Sequence, residues 1–493
     1  MEQKADDAKL SGGQLTTVHA VGQSMALCGP IFGAGIVVGL IASVAGFNSP
    51  LSVVISAAGA ACLAYVVSLF ARRFSGAGAI YEYLVHGARP SVGVYAGASY
   101  LVGIVATSGC AIFIAFGFLA QDFFESSLSI HVTWWIWAAF ALGIALTMNH
   151  FGVRLAIRGL LALSALSAIP FLVLAIAIIV QGGESGNTLS AFGTGDAGLS
   201  GVLHGVLFGI VLLAGFESAA TISEECREPH RSVPIAMLAT VALASVFFVL
   251  ITYAGAIGFG PKAAAEVWPI DPSPMATLAK QYVGTGLETT INLVIMCDAF
   301  ALSLAGVVGG SRVVFALARD GLLPSAMART SRTHRTPLGG NVVMAGVGAA
   351  AVAFGALNTY GDSVGVPNNI MAFQILSSIG GYLVEGVYAL LALFAFRIIW
   401  QMSSGWSRVW RLVVAVGGLA TPVLAYYGSL NPWPKYPANL GLIFALVALG
   451  LITVWFIFLY TRRRERIANA ASHAHRPDNS GAGEVAVTSG VQA

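Results

Sequence analysis

Apolar residues in this chain fall into long runs separated by short polar stretches, with neither strand alternation nor a single helical stripe. Spans of membrane-crossing length are predicted at Thr16–Phe47, Leu51–Arg72, Val92–Gln121, Val132–Met148, Gly159–Val180 and Leu203–Ile222. A second series follows at Ile235–Gly258, Leu287–Ala316, Val342–Leu357, Ile370–Phe396, Leu412–Tyr427 and Leu440–Tyr460. The pattern thus predicts an all-α polytopic membrane protein with about twelve transmembrane helices. Met1–Gln14 reads as a polar tail, and Ala468–Ala493, rich in Ala, Gly, Ser and His, as disordered. A polar start before an over-long apolar run is not expected to act as a cleavable signal.

Two of these runs carry their own interruptions. The first is too long for one straight span, and its centre reads Cys28-Gly29-Pro30-Ile31-Phe32-Gly33-Ala34-Gly35-Ile36. Proline removes a donor and glycine weakens a helix there. The sixth is weak at Val211-Leu212-Leu213-Ala214-Gly215, just before Phe216 and Glu217. One break in each half, near mid-depth, is the pattern of an inverted repeat with a site between discontinuous helices. Half-helix N-termini offer N–H groups to an anion, and unwound carbonyls accept from a cation. The competing reading of Gly33 and Gly35 is close helix packing.

Composition agrees with a lipid setting: 57% of residues are hydrophobic and 10% charged, against about 25% charged in soluble proteins. With twelve spans, 22 of the 25 Lys and Arg fall on the side of both termini, which the positive-inside rule assigns to the cytoplasm. A plasma-membrane location is expected. Trp134, Trp135, Trp137, Trp433 and Tyr436 sit at span ends as interfacial anchors. Five scattered cysteines suggest neither a disulfide framework nor a zinc site. No phosphate-binding loop, metal-ligand cluster or nucleophile triad stands out, so no enzyme, cofactor, metal or nucleic-acid partner is expected.

Acids inside spans are functional candidates because each is costly there. Glu217 follows the sixth break, Asp298 lies well inside the eighth span, and Glu385 sits in the tenth. Glu217 and Asp298 are candidates for gating or proton handling, against static hydrogen bonds between helices. Gln374, Ser377 and Ser378 on the tenth span either line a pathway or pack. His150 and His204 at span ends read as interfacial, and Glu224, Arg227 and Arg231 as a loop network. Lys and Arg are missing from the span centres, which favours neutral or cationic solutes.

These motifs resemble an amino acid–polyamine–organocation (APC) superfamily permease with the leucine-transporter fold. The resemblance rests on Phe32-Gly33-Ala34-Gly35-Ile36, on Gly215-Phe216-Glu217-Ser218 with Glu224-Glu225, and on Pro229-His230-Arg231-Ser232-Val233-Pro234. It also rests on Gly76-Ala77-Gly78-Ala79-Ile80-Tyr81-Glu82-Tyr83 and on Ser311-Arg312 with Ala318-Arg319-Asp320-Gly321-Leu322-Leu323-Pro324. The resemblance implies a 5+5 inverted repeat with discontinuous first and sixth helices. Residues 15–200 and 201–400 would be the two repeats and 401–462 two further helices, between tails at 1–14 and 463–493. It implies that the amides of Ala34, Gly35 and Ile36 face a substrate carboxylate. Carbonyls near Ile31, Val211 and Ala214 would face its amine, with Phe32, Gly33, Leu212, Leu213, Gly215 and Phe216 completing the site. Relatives that carry a fifth-helix lysine would place it here at Ser167, and Ser303 falls where relatives place a sodium or its substitute. The implied activity is secondary transport of an amino acid or amine by alternating access. Proton coupling comes first, with sodium, exchange or polyamine transport as alternatives, and a sensor or channel as the rival classes.

Overall fold

A glycine followed by a proline stops and restarts the first long helix. In the computed structural model, α1 (Thr17–Cys28) ends at Gly29, whose φ of 58° and ψ of 56° are left-handed and whose N–H closes onto Met25 O. Pro30 opens α2 (Pro30–Phe32), where its missing N–H would have found no helical partner. The run continues through a π-helical turn, Gly33–Val37, into α3 (Val38–Ala45). The structure describes residues 13–470 except 185, 270, 272, 432 and 438, and omits the side chains of residues 153–158, 160, 161, 163–165, 207 and 402. Both predicted tails therefore lie almost wholly outside the described residues, as do the side chains of Arg154 and Arg158, two of the basic residues counted on the side of the termini.

The chain then builds α4 (Ser49–Ala71), a short α5 (Ile80–Gly87) and α6 (Pro90–Ala106), which passes through a second π turn into α7 (Ile112–Leu128). Next come α8 (Trp134–Phe151), α9 (Val153–Gln181) and α10 (Gly198–Leu213). A 3-10 run, Phe216–Glu225, separates α10 from α11 (Pro229–Glu266), which kinks at Gly260 ahead of Pro261. After α12 (Pro274–Tyr282) come α13 (Thr285–Arg319), α14 (Leu338–Leu357), α15 (Asn368–Met402), α16 (Gly405–Leu430), α17 (Asn439–Arg462) and α18 (Arg464–Ala468).

Among the described residues there are no strands, and nine helical stretches are long and apolar enough to cross a membrane. One stretch, Thr17–Ala71, contains both the first and the second predicted spans. The predicted fourth and fifth spans exist as α8 and α9 but are not among the nine. Polar and tryptophan positions dilute α8, and of α9 only Leu166–Gln181 counts, as a shorter apolar helix.

Burial ranks the helices from inside to outside. The most apolar window of α13 is 72% buried, whereas that of α17 is 22% buried. Large side chains such as Val413 and Val416 on α16 and Leu451 and Val454 on α17 stay exposed. A soluble protein rarely leaves so broad an apolar face in water, and lipid accounts for it. α13 is the axis on which α1, α9 and the 3-10 run pack.

Candidate functional site

Both interruptions meet at the centre of the molecule. After α10, Ala214 is extended and Gly215 has a φ of 96°, a conformation that suits glycine. A Cβ at Gly215 would lie 2.7 Å from Leu27 O and 3.1 Å from Cys28 N, so the two broken segments touch backbone to backbone. Side chains of α1 then bridge them. Ser24 Oγ donates to Phe216 O at 2.7 Å and accepts from Ala219 N–H at 3.0 Å. Cys28 Sγ donates to Leu212 O at 3.2 Å. The amide nitrogen of Gln23 donates to Ser218 Oγ at 2.9 Å and to Ala305 O at 3.2 Å.

Two carboxylates flank this junction. Asp298 of α13 is fully buried, and its Oδ2 accepts the N–H groups of Ile31 and Phe32 at 3.0 and 2.9 Å. Its Oδ1 is buried with no hydrogen-bond partner. Glu217 is also buried, but both of its oxygens are engaged. Tyr100 of α6 donates to Oε1 at 3.1 Å, and Tyr388 of α15 to Oε2 at 2.5 Å. Tyr388 Oη also accepts the Gly215 N–H at 3.4 Å. Glu217 thereby ties the sixth-span break to α6 and α15.

Residues 13–462 match the family model described as amino acid permease. The chain belongs to that family. A branched-chain amino acid permease of Lactococcus lactis is 28% identical over 136 residues, covering 28% of this chain and 28% of that protein. An uncharacterized transporter of Mycobacterium tuberculosis is 25% identical over 337 residues, 66% of this chain and 71% of its own length. A low-affinity putrescine importer of Escherichia coli is 22% identical over 293 residues, 57% and 62% of the two chains. The family is one of membrane transporters, not enzymes, and the helices above are those of a multi-pass membrane permease.

Within the permease, the sequence-expected residues divide into those at the junction and those packed away from it. Gly215, Phe216, Leu212 and Leu213 are buried at the sixth break, whereas the Val211 side chain is 45% exposed and points outward. Ala214 N–H closes onto Val211 O at 3.3 Å. Ala34, Gly35 and Ile36 lie inside the π-helical turn, not at an open helix end. The amides at the open end belong to Ile31 and Phe32, because the break falls at Gly29. Gly33 instead admits Leu212 and Phe248, and a Cβ on Gly35 would stand 2.5 Å from Ile295 Cδ1. Both glycines are sites of close approach between helices.

The remaining candidates follow the same division. Ser303 Oγ donates to Ala299 O of its own helix at 2.9 Å, and Ser378 does likewise to Gln374 O at 2.8 Å. Ser167 is buried on α9, which packs against α1 and α2. Glu385 is buried on α15, Ser377 has a buried hydroxyl without a partner, and Gln374 is exposed. His204 lies at an exposed end, 3.1 Å from Asn431 O.

At the end of the molecule that carries both described termini, a charged network closes the bundle. Glu224 was expected to pair within its loop, yet its partner is Arg319 of α13, bidentate at 2.8 and 3.1 Å. Arg227 reaches Gly13 O, and Arg231 forms an exposed 3.7 Å pair with Glu228. Glu224 also accepts the Ala77 N–H at 2.9 Å, and Ser223 exchanges hydrogen bonds with Gly76. Deeper in, Arg312 Nε donates to Glu225 Oε1 at 2.6 Å, with both side chains buried. Tyr100 and Tyr388 gave no local signal in sequence, since each acts on a group far along the chain, and Arg319 stood only within a motif of the resemblance.

Glu82 of α5, outside the spans, belongs to this network. Its Oε1 accepts the Gly78 N–H at 3.1 Å and lies 3.7 Å from Arg319, and its Oε2 is buried without a hydrogen-bond partner. Burial, with Glu224 nearby, pushes its carboxyl from an ordinary 4.5 up to about 8, against the pull of Arg319. The folded protein thus holds this proton more tightly than the unfolded chain does. Its contribution is complete below about pH 4.5 and is lost as pH rises through about 8. Glu82→Gln is expected to raise the melting temperature at pH 9 and leave it nearly unchanged at pH 5. Thermal melts across that range in detergent check this.

Proposed function

We propose that this permease is a secondary transporter of amino acids or related small amines that works by alternating access, with proton symport as its coupling. The observation that carries this reading is the backbone contact between the breaks at Gly29 and Gly215, beside the buried carboxylate of Asp298. Unwound backbone at membrane depth is tolerated where it is buried in protein or lines a polar cavity. At this junction the backbones of the two breaks touch, with the Ile31 and Phe32 N–H groups turned onto Asp298, as a site between discontinuous helices requires. The family membership and the named substrates of two relatives, branched-chain amino acids and putrescine, support an amine-bearing solute.

In this reading the helices α1 to α17 make twelve spans, with α1 to α3 forming one broken span and the Ser49–Ala71 helix the next. Residues 15–200 and 201–400 form the two inverted repeats and 401–462 two additional helices. Both termini face the cytoplasm at the plasma membrane, as the basic residues favour. The ion pairs of Arg312 and Arg319 then form the cytoplasmic closure, with the Tyr100–Glu217–Tyr388 clamp as the contact that must release when the sixth span moves.

Uptake by purified protein in proteoliposomes tests this. Saturable accumulation of a labelled amino acid or amine, driven by an inward proton gradient and abolished by a protonophore, is the expected result. Counterflow that ignores the gradient would replace symport with exchange. Failure to take up any member of a broad amino acid and amine panel would overturn the transport reading.

A further inference from the structure

We infer that Asp298 sets the substrate class of this permease: a primary aliphatic amine with no carboxylate on the amine-bearing carbon, its ammonium held by Asp298 Oδ1. This rests on the transporter reading and narrows it.

Three observations lead to it. First, the amides at the start of the second half of the broken span are already used. Pro30 has no N–H, Gly33 N–H closes onto Gly29 O at 2.8 Å, and Ile31 and Phe32 both donate to Asp298 Oδ2. A protein carboxylate sits where a zwitterion would put its own. A second carboxylate brought there would face like charge in a buried, low-dielectric setting, which disfavours it.

Second, Oδ1 of the same fully buried side chain has no partner. A buried carboxylate oxygen left unsatisfied is costly, and an ammonium brings three donors. Third, among the described residues no protein cation is bonded to it. Arg312, the buried guanidinium on the same helix, is about 21 Å further along the axis. It is also bonded to Glu225 and Asn149. Glu217 is the less available carboxylate, since each of its oxygens already accepts a tyrosine hydroxyl. The hydrocarbon part of the ligand would meet Phe32, which packs edge-on against Phe373 with ring centroids 5.9 Å apart.

The test is uptake and binding of matched pairs that differ by one carboxylate: isoamylamine against leucine, putrescine against ornithine, agmatine against arginine. Wild-type protein is expected to take up the amine of at least one pair about tenfold or more better than its amino acid. Asp298→Asn keeps an oxygen for the two amides, and is expected to lose about tenfold or more in amine affinity. If the amino acid of every transported pair is preferred, or if Asp298→Asn binds the amine as wild type does, the inference falls while the transporter reading stands. If neither member of any pair is taken up while other members of the amino acid and amine panel are, the inference falls; if nothing in the whole panel is taken up, the transporter reading falls with it. The wild-type comparison decides the matter even if the variant does not fold.

Discussion

Gly215→Ala is expected to abolish uptake and to lower the melting temperature, although it adds a single methyl group. At a φ of 96° any Cβ is strained, by about 1–2 kcal/mol for left-handed backbone. Steric overlap adds to this. The new carbon would stand 2.7 Å from Leu27 O and 2.8 Å from Leu27 C, both backbone atoms that no rotamer change can move. Relief requires the two broken segments to separate, which would stretch the hydrogen bonds of Ser24 to Phe216 O and Ala219 N–H. Gly143→Ala is the control. It lies within α8 with nothing inside 4 Å of its Cβ position, so gaining a helix-favouring residue should add about 0.5–1 kcal/mol. Uptake and thermal melts on the two variants check both statements. Full activity in Gly215→Ala would show that the close approach of the breaks is dispensable.

Both interruptions were legible in the sequence because their causes are local. A Gly-Pro pair stops one helix and starts the next, and a lone glycine before a polar run ends the tenth helix. The positions of the bare amides were less legible. Gly33 and Gly35 suggest an open backbone, yet their missing side chains make room for Leu212, Phe248 and Ile295 on other helices. Which of these a glycine serves depends on what packs beside it, and that is a tertiary fact. Asp298 could be flagged as an acid inside a span, since such a residue needs a reason to be there. That its reason is the open end of the first broken helix depends on contacts between residues far apart in the chain. Glu224 shows the same limit in reverse. Arg227 and Arg231 are its neighbours in sequence, but Arg319 is its neighbour in space.

The second large effect should come from Arg312, whose guanidinium is fully buried. Its Nε bonds Glu225, and its Nη1 donates to Asn149 Oδ1 at 3.1 Å and to Val308 O at 2.9 Å. Asn149 carries the network on, donating to Ser311 Oγ at 3.1 Å and to Asn341 Oδ1 at 2.6 Å. Glu225 O in turn accepts the N–H groups of Gln14 and Leu15, so the start of the chain docks on the same residue. Arg312→Ala would strip the buried Glu225 carboxylate of its countercharge, a loss of about 3–5 kcal/mol. Arg312→Lys should recover little, because an ammonium cannot reproduce the planar fork that serves Glu225, Asn149 and Val308 together. The double variant Arg312→Met with Glu225→Gln removes both charges at once. It is expected to be more stable than Arg312→Ala, since desolvating the pair offsets much of its attraction. A double-mutant cycle by thermal melts measures that coupling. Additive losses would mean that the two side chains are neighbours without being energetic partners, and that the charged end of the bundle is held shut by Arg319 and Glu224 instead.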